Sequence, residues 1–224
     1  MIEFEGVSHA YDGRVVLRDI SLTLSENRIG IVGANGSGKS TLARMINALV
    51  VPDSGTVTVD GLVVAKNKRE VRRRVGFIFS DPDRQIIMPT VLEDIELSLR
   101  RTDLDKSRRA ARAREVLARF GLADHADHPA QRLSGGQKQL LALASIFVTG
   151  PAIIVADEPT TLLDLRNTRM LTDVFATLDE QLIVVSHDLD ILTGFDRVLV
   201  IDDGRVVADD VPAPALAAYR ELMS

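Results

Sequence analysis

Gly33-Ala34-Asn35-Gly36-Ser37-Gly38-Lys39-Ser40-Thr41 is the stretch on which the reading of this 224-residue chain turns. It satisfies G-x-x-x-x-G-K-[ST], a loop whose backbone N–H groups converge on phosphate. Gly33, Gly36 and Gly38 have no Cβ, so the backbone can close tightly around phosphate oxygens. The helix that follows adds its positive N-terminal end. Lys39 offers a compact charge to the β- and γ-phosphates, and Ser40 a hydroxyl to Mg²⁺. The flanks agree: Arg28-Ile29-Gly30-Ile31-Val32 reads as a short apolar strand, and Leu42-Ala43-Arg44-Met45-Ile46 as a helix. A chance glycine-rich turn has no need of both flanks. Nucleotide binding is the expectation.

The bulk composition is that of an α/β domain with a full core. Hydrophobic residues make up 46% and charged residues 26%, which is ordinary for a globular protein. There is no cysteine, so neither a disulfide framework nor a thiolate metal site is expected. The net charge of -5 weighs against a nucleic-acid binder. No apolar run approaches the ~18–20 residues that span a bilayer. The first residues carry acids and no apolar core, so no signal peptide is expected. The default location is cytosolic, which is compatible with docking on a membrane protein from the inside.

Outward from the loop, Ile2 to Val7 alternates as a half-buried strand does, and Val15 to Leu24 continues in strands. Tyr11, beside the Asp12-Gly13 turn, is either a surface tyrosine or an aromatic that stacks on a base. Thr56 to Val59 is a β-branched strand before an Asp60-Gly61 hairpin turn. Lys66 to Arg74 is a basic run, read as a solvated helix face rather than a nucleic-acid patch. Val75 to Phe79 is a buried strand that enters the polar loop Ser80 to Gln85. A helix is predicted from Val91, with Glu93, Asp94 and Glu96 near its favourable end. A second, arginine-rich helix is predicted over Arg100 to Phe120. Its apolar positions Ala113, Val116, Leu117 and Phe120 mark a core-facing side, and Gly121 its C-cap. His125 and His128, beside Asp124 and Asp127, have the spacing of a metal pair, but Pro129 favours a loop.

Leu133-Ser134-Gly135-Gly136-Gln137 opens a further helix, with Ser134 as N-cap. It is either a second anion site or a capped helix after a flexible turn. Ile153 to Ala156 is an apolar strand ending in Asp157-Glu158. A strand-end acid holds Mg²⁺ in phosphate-loop enzymes, and a second carboxylate beside it can deprotonate water. Leu182 to Val185 is another apolar strand, ending in Ser186-His187-Asp188, where the histidine can donate to a phosphate oxygen. Val198 to Ile201 precedes an Asp203-Gly204 turn, and a short helix is predicted around Ala215 to Leu222.

These motifs, in this order, resemble the ATP-binding subunit of ABC transporters over almost the whole chain. The pentapeptide Leu133 to Gln137 is the most specific part. The resemblance implies a P-loop α/β fold with a mostly parallel core sheet, an antiparallel N-terminal β lobe and an inserted helical lobe. It implies one ABC ATPase domain over 1–224, with a core at about 1–84 and 151–224 and a helical subdomain at about 85–150. It implies that two copies sandwich two ATP molecules. Ser134 and Gly136 of one copy would then touch the γ-phosphate held by Lys39 of the other, with Gly135 and Gln137 in the same nucleotide-binding stretch. By the same resemblance Tyr11 stacks on the base, and Gly33, Ala34, Asn35, Gly36, Ser37, Gly38, Lys39, Ser40 and Thr41 bind the phosphates. Ser40 and Asp157 hold Mg²⁺, Glu158 is the base for water, and His187 senses the γ-phosphate. Thr161 to Asp164 matches the loop that crosses the dimer seam, with two leucines where the family has smaller residues.

One position departs from the family. Where a glutamine normally follows the Val75 to Phe79 strand, this chain has Ser80, whose shorter side chain implies a water bridge to Mg²⁺ rather than direct coordination. Ser80→Gln is expected to leave ATP binding intact and to alter turnover or transport coupling; no change in either would remove any special role for Ser80. The stretch Asp81-Pro82-Asp83-Arg84-Gln85-Ile86 is similar to ATPases of energy-coupling-factor (ECF) vitamin and metal importers, and with the residues around it most resembles the biotin branch. The implied partners are a second ATPase subunit, in a homodimer, with a transmembrane coupling subunit and a substrate-binding membrane subunit, at the cytoplasmic face of the membrane. A cobalt or nickel importer ATPase is the alternative of the same type. A soluble ABC-type ATPase acting on nucleic acid or ribosomes is the alternative from another class, disfavoured by the acidic balance and by aromatics at 4%.

Overall fold

Two hydrophobic patterns produce two sheets. The runs around Ile31, Val155, Val184 and Val200 are apolar without alternation and fully buried, as in parallel strands covered on both faces. The N-terminal strands alternate, with Ile2, Phe4 and Val7 buried and Glu3 and Glu5 less so, as one-sided antiparallel strands do.

The computed structural model describes residues 1–224 except the side chain of Arg101. In chain order the elements are β1 (Ile2–Tyr11), β2 (Arg14–Leu24), β3 (Arg28–Gly33), α1 (Lys39–Ile46), β4 (Ser54–Val59), β5 (Leu62–Val63), α2 (Lys68–Arg74) and β6 (Val75–Ile78). Then come α3 (Val91–Ser98), α4 (Lys106–Arg119), α5 (Gly135–Phe147), β7 (Ile153–Asp157), α6 (Leu165–Ala176) and β8 (Gln181–Val185). The chain closes with β9 (Arg197–Asp202), β10 (Arg205–Asp210) and α7 (Pro212–Leu222).

The chain forms two compact units. Residues 1–77, 152–158 and 180–224 make the first, and residues 78–151 and 159–179 the second. In the first, the six-stranded sheet has the order β10-β9-β3-β8-β7-β6 and the four-stranded sheet the order β2-β1-β4-β5. β3 lies parallel to both β8 and β9, β7 lies parallel to β8, and β10 is an antiparallel edge on β9. This is the mostly parallel core sheet with an antiparallel β lobe that the sequence implies. Arg197 ties the two sheets together. Its fork takes both Asp209 oxygens at 2.6 Å, and its Nη1 reaches Thr23 O and Glu26.

The second unit is helical. α3 begins in a capping box between Thr90 and Glu93. Asp94, read from sequence only as a helix-dipole acid, is buried. Its Oδ1 accepts from Ile87 N and Met88 N, and its Oδ2 accepts from the Ser145 hydroxyl. A buried carboxylate satisfied in this way fixes the 86–89 segment against α5. The arginine-rich helix starts later than the predicted Arg100, at Lys106, because the Asp105 side chain accepts from Arg108 N and caps it there. The side chain of Arg101, inside the predicted range, lies outside what the structure describes. Ala113, Val116, Leu117 and Phe120 are buried as expected. The C-terminal helix starts three residues before the predicted Ala215, with Pro212 in the first turn, where a missing N–H costs nothing.

Candidate functional site

The glycine loop joins β3 to α1. Its glycines serve the protein's own packing as well as room for phosphate. A Cβ on Gly33 would sit 2.1 Å from Ile201 O, and one on Gly38 would sit 2.6 Å from Val16 O. Gly38 also has φ 108°, left-handed backbone at the start of α1. Gly36 is different: a Cβ there would meet only the Arg14 guanidinium, at 3.9 Å, so this side of the loop is open. Gly204 N donates to Ser37 O, and Gly204 O accepts from Arg18 N. The β9–β10 turn thereby holds the loop against β2.

Lys39 is 6% exposed. Its Nζ donates to Gly33 O and Ala34 O at 2.8 Å each. Burial pushes its ammonium below the usual lysine range, while the charges of Glu158 and Asp157 pull it back up. Ser40 Oγ donates to Asp157 Oδ1 at 2.7 Å. A hydroxyl and a carboxylate in contact, both hard oxygen donors, fit Mg²⁺. Arg44, one helical turn after Ser40, donates to Asp157 Oδ2 at 3.0 Å. Sequence reasoning assigned Arg44 no role, although its i, i+4 spacing from Ser40 put both on one helix face.

Glu158 follows β7 with φ 55°, left-handed backbone that is uncommon for a residue with a side chain. Its Oε2 lies 2.7 Å from His187 Nδ1. Tyr11 ends β1, pairs across the hairpin with Arg14, and is 45% exposed. His9, which carried no sequence hypothesis, packs edge-on against the Tyr11 ring with centroids 4.6 Å apart. Tyr11, Arg14, Val16 and the Gly36–Thr41 side of the loop line an open cleft of about 320 Å³. The first unit thus brings together an aromatic wall, a cradle of amides, a lysine, a hydroxyl–carboxylate pair and a glutamate–histidine pair.

In the second unit Ser134 caps α5 through a reciprocal box. Gln137 N donates to Ser134 Oγ, and Ser134 N donates to Gln137 Oε1 at 2.9 Å. With its carbonyl oxygen so engaged, the Gln137 amide nitrogen faces His125 Nε2 at 3.0 Å. His125 and His128 stack edge to face, and no group of three acids and histidines suited to a metal occurs among the described residues. His125 is instead a brace for the helix start. Gly135 is exposed, but Gly136 is buried, and a Cβ on it would lie 2.2 Å from Asn167 Oδ1. Asn167 N in turn donates to the N-cap Asp164 of α6. Ser80 follows Phe79, whose N–H donates to Gln85 Oε1 and whose carbonyl accepts from Gln139 Nε2. Gln85 Nε2 also donates to Ala142 O. A groove of about 620 Å³ is lined by Asp83, Ile86 to Pro89, Ala130, Gln131 and Lys138, with Ile87 73% exposed at its wall.

Among the described residues, no helix is long and apolar enough to cross a membrane. The family model described as ABC transporter matches residues 17–161. A putative ABC transporter ATP-binding protein of Deinococcus radiodurans is 52% identical over 224 residues, covering 100% of this chain and 99% of that protein. The biotin transport ATP-binding protein BioM of Rhizobium etli is 46% identical over 221 residues, covering 99% and 98%. Among solved structures, cbiO1 of Clostridium perfringens, part of the ABC transporter complex cbiONQ, superposes with a TM-score of 0.87 at 28% identity, covering 99% of this chain and 92% of that one. With the phosphate loop, the strand-end acids and the Ser134 helix start in place, the chain belongs to the ABC transporter family, as an ATP-binding subunit that hydrolyses ATP.

Proposed function

We propose that this chain powers the import of biotin by an ECF-type transporter. The observation that carries the reading is its likeness to BioM along nearly the whole of both chains. The groove of the second unit supports it, because an exposed apolar wall edged by Asp83 and Lys138 suits a helix of a membrane coupling subunit. Two copies pair at the cytoplasmic face of the membrane, and the Ser134 to Gln137 helix start of one covers the triphosphate held by the other.

In this reading Tyr11 stacks on the adenine. Backbone amides of Gly36 to Thr41 receive the phosphates, and Lys39 exchanges its bonds to Gly33 O and Ala34 O for phosphate oxygens. Ser40 and Asp157 would hold Mg²⁺. When bound, that ion neutralises the charge that builds on the β- and γ-oxygens. Glu158 orients the attacking water and accepts its proton. His187, with its Nδ1 against the Glu158 carboxylate, links the base to the γ-phosphate.

Tyr11→Ala is expected to lower ATP affinity by about 5- to 100-fold, the range of one base–aromatic stack, and to lower GTP affinity similarly. Calorimetry with both nucleotides checks this; unchanged affinity removes the stacking role. The transport reading is tested by reconstituting the chain with the membrane subunits that co-purify with it and following labelled biotin into vesicles. ATP-dependent uptake is expected. Uptake of Co²⁺ or Ni²⁺ without biotin would assign the chain to the metal importers instead.

A further inference from the structure

Asp157 is 2% exposed and its two oxygens are divided between two residues of one helix face. Ser40 takes Oδ1 and Arg44 takes Oδ2. A carboxylate this buried needs a countercharge; Lys39 contributes its charge across the site while its Nζ donates to Gly33 O and Ala34 O. Arg44 is the cation that pairs with it. The pairing is not that of a permanent clamp. Arg197 grips Asp209 with a full fork, two bonds of 2.6 Å. Arg44 reaches Asp157 through one Nη at 3.0 Å, and its Nε is buried with no hydrogen-bond partner. A guanidinium so incompletely satisfied at one acid is a countercharge that can be relieved.

We propose that Arg44 is a positioning residue that stands in for the divalent cation, neutralising and orienting Asp157 while the site holds no metal. This rests on the reading of Asp157 as the Mg²⁺ acid. With Mg²⁺ held at Ser40, Asp157 has a further source of positive charge and depends less on Arg44. Removing Arg44 therefore harms the metal-free protein more than the loaded one.

The test is thermal unfolding of the full chain in EDTA, and with a non-hydrolysable ATP analogue with and without Mg²⁺. Arg44→Met is expected to lower the melting temperature in EDTA by about 5 °C and by less than half as much with analogue and Mg²⁺. Its Mg²⁺-dependent gain is thus larger than in the wild type. Arg44→Lys, which keeps the charge, should recover most of the EDTA loss. In the Arg44→Met, Asp157→Asn double variant the loss should largely vanish, because no buried charge is left unpaired. An equal loss with and without Mg²⁺, or no recovery in the double variant, overturns the proposal and leaves Arg44 a plain packing residue. Asp157→Asn alone reports on the underlying reading: it should abolish the wild-type Mg²⁺-dependent gain. Persistence of that gain would overturn the metal assignment and the proposal with it, a result distinct from the failure of Arg44 alone.

Discussion

Glu158→Gln is expected to lower ATP turnover by about 10²- to 10⁴-fold, the usual contribution of a positioned general base, while ATP still binds. The substitution keeps volume and shape but removes the proton acceptor. The structure gives the side chain little freedom to fail in other ways. Its backbone is held at φ 55° at the end of β7, its N–H donates to Val185 O at 2.9 Å, and its carboxylate meets His187 Nδ1 at 2.7 Å. A residue kept in left-handed backbone despite a cost of order 1–3 kcal/mol is held there by its surroundings, which is common at reacting centres. Glutamine can still accept from His187 through its amide oxygen, so the pocket survives and only the proton transfer is lost. With hydrolysis blocked, ATP should accumulate between two copies, and size-exclusion chromatography in MgATP should give a dimer peak absent from the wild type. Near-normal hydrolysis in this variant would take the role of base away from Glu158.

Much of this arrangement is legible from sequence because it depends on local pattern. The apolar runs of β3, β7, β8 and β9 announce doubly covered strands, and the glycine–lysine loop follows one of them. The unread parts depend on partners far away in the chain. Periodicity tells which face of α1 is buried, but not that the partly exposed Arg44 meets an acid 113 residues away in the chain. Gly136 reads as a phosphate-facing glycine, yet the collision a side chain would suffer is with Asn167 of α6. His125 has metal-like spacing to His128, yet its Nε2 is used by Gln137. Asp94 looks like one of several acids at a helix start, and only the fold reveals three hydrogen bonds on it. Two misplaced helix starts were within reach of the sequence: an N-capping Asp105 and a first-turn Pro212 both carry local signals.

Lys39→Ala should be the second severe loss, and of a different kind. In the wild type the ammonium already sits at the phosphate loop, 6% exposed, bonded to two loop carbonyls. Burial weakens its hold on the proton, and the adjacent Glu158 and Asp157 offset part of that. The lysine is therefore a desolvated charge with replaceable partners, and a triphosphate supplies oxygens of the opposite sign. Hydrogen bonds to charged groups are each worth about 1.5–3 kcal/mol. Losing two of them predicts a fall in MgATP affinity of about 10²- to 10⁴-fold, with cleavage lost alongside. The fold should tolerate the change, since the same substitution removes a charge that burial disfavours; circular dichroism should give a melting temperature close to that of the wild type. Calorimetry on that folded variant then isolates the contact. Arginine is no remedy, because its planar fork needs more room than the packed loop provides around Nζ, so Lys39→Arg should bind MgATP weakly too. If Lys39→Ala binds and cleaves MgATP as the wild type does, the amides of the loop carry the triphosphate unaided, and the charge at Lys39 has no part in holding it.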